Sequence, residues 1–108
     1  MLNMSEAKTK NRFENIRSII AKLIGIEESK VRILKDYKGK LFLFCGSLTH
    51  HRKFWIDLVL SSLSIEDFEM IVRKHNGSCG VEDLAPTFES EEDLLNFIEE
   101  ILIIMAAK

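Results

Sequence analysis

The sequence predicts an α+β domain: a small antiparallel sheet of three strands plus a short edge strand, with helices packed on one face, in the order α-β-β-β-α-(β)-α. Three observations carry this. Apolar residues recur at helical spacing in the first 24 residues and in the last 18. A run of short apolar and alternating segments between Lys30 and Ser61 is broken by turn residues. Two serines each precede an acid by three residues, which marks the starts of two further helices. Helices that flank a short block of strands favour an α+β layout.

The first helix is expected over Ser5 to Ile24, with Phe13, Ile16, Ile19, Ile20, Leu23 and Ile24 as its apolar stripe. Ser5 can cap its start, and Gly25 can take the left-handed conformation that ends it. Lys30 to Lys35 alternates and is read as a strand, followed by a turn at Asp36-Tyr37-Lys38-Gly39. Lys40 to Cys45 is apolar on both faces, so it is expected at the centre of the sheet. Ser47 to Lys53 reads as a polar loop. Phe54 to Ser61 fits a helix or a strand, and its eight-residue period-two pattern favours a strand. Ser64 and Ser90 start the last two helices. The first of these runs to about Asn76 and stops at Gly77, and the second runs to the C-terminus. Between them a short edge strand is expected near Thr87-Phe88, with Pro86 tolerated only at an edge or a strand start.

With 108 residues, 46% of them hydrophobic and 30% charged, the chain fits one globular domain over residues 1–108 rather than a disordered segment. The stretch from Ile101 to Ala107 is far shorter than the roughly 20 residues that span a bilayer, so no membrane partner is expected. Met1 to Ser5 lacks the basic stretch and apolar run of a signal peptide, and two cysteines make no disulfide framework. A reducing, cytoplasmic location follows as the expectation.

Charge is uneven. Residues 1–53 hold 12 Lys/Arg and 5 Asp/Glu, a net +7, while residues 54–108 hold 3 and 12, a net −9, and together these make the −2 of the chain. Such asymmetry fits attraction between the halves, within one molecule or across a dimer, and it also fits a surface for polyanions. If nucleic acid is a partner, Arg32, Lys35, Lys38 and Lys40 of the hairpin and Arg52 and Lys53 of the next loop would contact phosphates. Tyr37 and Trp55 would then stack on unpaired bases.

Chemistry is thin. Cys79 lies among small residues with His75 four positions before it, and a Cys-His pair can generate a thiolate nucleophile. No oxyanion donor or orienting partner accompanies them, so no catalytic residue is assigned. Cys45, His50, His51, His75 and Cys79 offer zinc-binding atoms but lack paired short spacings, so no metal site and no cofactor is assigned. Cys45, at the end of an apolar strand, is expected to act as a small hydrophobe.

The last helix offers apolar groups in nearly every direction, and Leu41 to Phe44 is apolar on both sheet faces. One small sheet cannot cover all of this, and uncovered apolar surface marks an interface. The leading expectation is therefore a non-enzymatic interaction or regulatory module. It would form a homodimer through an apolar sheet face and Ile101, Leu102, Ile104 and Met105, with a further protein partner that the sequence does not identify. The alternatives are nucleic-acid binding and a small Cys/His enzyme or zinc protein.

Overall fold

The computed structural model describes residues 4–46, 58–79 and 86–107, and it has the α+β architecture that the sequence predicts. Helix α1 spans Met4–Ile24. It turns Ile16, Ile20 and Ala21 into the core, and it ends at Gly25, whose φ is 81°. The N–H groups of Gly25 and Ile26 both donate to the Ala21 carbonyl, at 2.8 and 3.0 Å.

After a 3-10 turn at Glu28–Lys30, strands β1 (Val31–Lys35) and β2 (Leu41–Cys45) form an antiparallel hairpin. Asp36 organises its turn. The Asp36 N–H donates to the Lys40 carbonyl at 2.8 Å, and its side-chain Oδ1 accepts from the N–H groups of Lys38 and Lys40, both at 2.9 Å. Gly39, at φ 80°, closes the three-residue loop in the left-handed region that this hairpin type needs.

Val31 opposes Cys45 and Ile33 opposes Leu43, so these four share the face that joins the core. Arg32 opposes Phe44 and Leu34 opposes Phe42 on the other face. Phe42 and Phe44 are only 6% and 3% exposed, so the sheet face that the sequence leaves open is closed over both rings. The three-stranded sheet with β2 at its centre needs correction: among the described residues there are two two-stranded sheets, β1–β2 and a second one described below, joined to β2 only by one isolated bridge. β2 pairs with β1 on one side, and on the other Leu41 and Phe88 exchange backbone hydrogen bonds of 2.7 and 2.8 Å.

The strand expected over Phe54 to Ser61 needs correction where it is described, because residues 58–60 are helical. The Ser62 N–H donates to the Val59 carbonyl at 2.9 Å. The reason is coverage. Leu58 and Val59 both line a narrow apolar slot against α1 and the last helix, and Leu60 also packs on the core. A strand sends neighbouring residues to opposite faces and could not do this. Residues 54–57 lie outside the described residues.

Helix α2 (Ile65–Lys74) and helix α3 (Glu91–Ala106) start as their serines predict. Ser64 Oγ accepts from the Asp67 N–H and Ser90 Oγ from the Asp93 N–H, each at 3.1 Å. α2 ends in a Schellman motif, in which the Asn76 N–H reaches the Arg73 carbonyl at 3.1 Å and the Gly77 N–H reaches the Val72 carbonyl at 2.9 Å. The left-handed residue is Asn76, at φ 62°, and not the glycine after it.

The expected edge strand is one half of a ribbon: β4 (Pro86–Thr87) pairs antiparallel with β3 (Ser78–Cys79), and Pro86 opens its strand. Three fully buried rings join these layers. Phe97 of α3 meets Phe68 of α2 edge-on at 5.7 Å and Phe88 at 5.1 Å.

Candidate functional site

The hairpin spreads its basic residues instead of aligning them. Arg32 lies on the outer face, with its guanidinium 4.9 Å from the Phe44 ring centroid, and Lys35 lies on the opposite face. Lys38 is at the tip, with Nζ 5.5 Å from the centre of the Tyr37 ring. Tyr37 is 91% exposed. Lys40 is paired with Glu89, and this hydrogen bond holds the Glu89 carboxyl below its usual range. Arg52, Lys53, Trp55, His50 and His51 lie outside the described residues.

Part of the charge asymmetry is settled within the chain. Arg12 Nε donates to Glu99 Oε1 at 2.7 Å, and its second nitrogen donates to Asn96 Oδ1 at 2.6 Å. This pair and Lys40–Glu89 each join the basic half to the acidic half. Arg17 has a structural role: Nε donates to the Val31 carbonyl at 3.0 Å, and the guanidinium packs 4.7 Å from the Phe13 ring centroid.

Of the Cys/His set, Cys45, His75 and Cys79 lie among the described residues. Cys45 is buried, as a small hydrophobe should be, and burial pushes its thiol up to about 12. Cys79 is half-buried at the wall of an open cleft of about 420 Å³ beside Glu69, Arg73 and Ser78. His75 does not line that cleft. Its Nε2 is 3.5 Å from Glu100 Oε1 and makes no hydrogen bond. Among the described residues, no three His, Cys, Asp or Glu side chains gather to hold a metal ion.

Glu100 ties α2 to α3. Lys74 Nζ donates to Glu100 Oε1 at 2.6 Å, and this hydrogen bond lowers the Glu100 pKa despite partial burial. A lowered carboxyl stabilises the fold above its unfolded value and loses that contribution as pH falls through the folded one. Glu100→Gln should therefore cost about 0.5 kcal/mol at neutral pH, because Lys74 is largely solvated. The difference from the parent should shrink as pH drops below about 4.5 and the folded carboxyl is protonated. Urea unfolding across that range checks it.

All three helices leave apolar side chains exposed, with Ile65 and Met70 on α2, and α1 and α3 do so side by side. Of the association residues expected on α3, Ile101 is buried at 1% exposure, and Leu102 and Met105 pack against the core. Ile104 is half-buried. The exposed member is Ile103, at 70%, and Ile19 of α1, at 46%, shares a groove with it; Leu23, one turn further along α1, is 48% exposed. Ile16, Ile19, Leu102 and Ile103 wall a groove of about 240 Å³, with Arg12 and Glu99 at its polar end. The signal for Ile103 was present in the spacing: it sits roughly 200° round the helix from Ile101, away from the core stripe.

No helix among the described residues is long and apolar enough to cross a membrane. The chain matches no family model, no curated protein and no solved structure.

Proposed function

We infer that this chain is a non-enzymatic protein-interaction module that self-associates along the α1–α3 face. The observation that carries the reading is Ile103. A large aliphatic side chain 70% exposed, sharing a groove with the half-exposed Ile19 of the neighbouring helix, is surface that water covers poorly. The helices run alongside one another in the same sense, since Arg12 meets Asn96 and Glu99 while Ile19 shares a groove with Leu102 and Ile103. A two-fold axis through that groove would bring each copy's patch onto the same patch of the other, as isologous dimers require. With Phe42 and Phe44 buried, support for the sheet face is weaker, and the helical face carries the proposal.

The test is oligomeric state. Sedimentation of the parent chain over a range of concentrations should show a monomer–dimer equilibrium. Ile103→Lys should shift it to monomer while leaving the far-ultraviolet spectrum unchanged. Each substitution acts twice in a symmetric dimer, so a loss of about 3 kcal/mol, roughly a hundredfold in Kd, is expected. A parent chain that stays monomeric at high concentration would sink the reading.

A further inference from the structure

We propose that the tip of the β1–β2 hairpin is a stacking platform for single-stranded nucleic acid, a second interaction surface separate from the α1–α3 face. The first support is Tyr37. At 91% exposure its ring makes no contribution to the core, yet it sits on a turn braced by two side-chain and two backbone hydrogen bonds. A ring held on a rigid base and left in water is prepared to stack on another flat surface, and every nucleobase offers one.

The second support is charge. Residues 30–40 carry five Lys or Arg and one acid, Asp36. The Asp36 Oδ1 already accepts two backbone N–H groups of the turn, and Lys40 is held by Glu89. Lys35 and Lys38, both exposed, remain at the turn end beside Tyr37, and Arg32, also exposed, lies further down the hairpin on the other face.

Their arrangement selects the kind of strand. Lys35 stands on the last strand rung before the turn and Lys38 on the turn itself, while Arg32 lies on the other face near the open end of the hairpin, so the three form no straight row. A duplex shows its phosphates along a stiff rod and keeps its base faces stacked inside. A single strand can bend round the tip, place phosphates near Lys35 and Lys38 and give an unstacked base to Tyr37.

The experiment is fluorescence anisotropy with short labelled single-stranded DNA and RNA and with a duplex of equal length, at low and moderate salt. The parent chain should bind single strands more tightly than duplex. Tyr37→Ala should weaken that binding roughly tenfold with its salt dependence unchanged, whereas Tyr37→Phe should keep it. Replacing Lys35 and Lys38 together by Ala should flatten the log–log salt slope by about 1.4, for two lost phosphate contacts on a single strand. Because all these side chains are exposed, far-ultraviolet spectra should be unaffected. No binding at low salt, equal binding by Tyr37→Ala, or tighter binding of duplex would each overturn the proposal. Whether DNA or RNA binds better identifies the natural polymer.

Discussion

Gly77→Ala should remove about 3 kcal/mol of stability, the upper end of what overpacking costs, because the added methyl group has nowhere to go. A Cβ at this position would lie 2.8 Å from Phe88 Cδ1 and Cζ and closer still to Cε1. The ring cannot withdraw. It is fully buried, it packs on Phe97, and its backbone is bonded in both directions to Leu41. Gly77 cannot withdraw either, since its N–H closes the end of α2 on Val72. Urea unfolding followed by circular dichroism measures the loss. Combining Gly77→Ala with Phe88→Leu should cost less than the sum of the two, since the smaller side chain makes room for the methyl. A loss below about 0.5 kcal/mol for Gly77→Ala alone would show that this contact is soft.

Phe97→Ala should be the more damaging change, at about 4 kcal/mol, and should lower Tm by roughly 20 °C. Phe97 is fully buried where α3, α2 and the strand end meet, with Phe68 and Phe88 against it. Alanine is the best helix former, so the loss comes from packing and not from α3 itself. It leaves a cavity bounded by three elements that cannot all collapse inward. Phe97→Leu, which keeps most of the volume, should cost about 1.5 kcal/mol. A domain of this size has roughly 5–15 kcal/mol in total, so Phe97→Ala places the fold near its limit. Thermal unfolding of the two variants side by side distinguishes lost volume from lost aromatic geometry. Similar losses for Leu and Ala would assign the effect to the aromatic edge contact.

Much of the fold was legible because its devices are local. Ser64 and Ser90 cap their helices through atoms three residues away, and Asp36 with Gly39 builds the hairpin turn within five. The candidate surfaces were legible in part. Residues of the basic hairpin could be named, but not that Lys40 is held by Glu89, 49 positions away. The last helix was identified as too apolar for one sheet, but the exposed residue proved to be Ile103, while Ile101 is buried.

By itself the sequence determined where most elements begin and end, because caps, turns and periodicity act over one or two turns of chain. Tertiary structure decided the rest. It made residues 58–60 helical, since consecutive apolar residues had to reach one slot between α1 and α3. It gave the left-handed position to Asn76 and reserved Gly77 for the Phe88 ring. It also closed one sheet face and left Ile19, Leu23 and Ile103 in water. These outcomes depend on which surfaces meet across the fold, and burial is a property of that meeting, which local spacing alone does not specify.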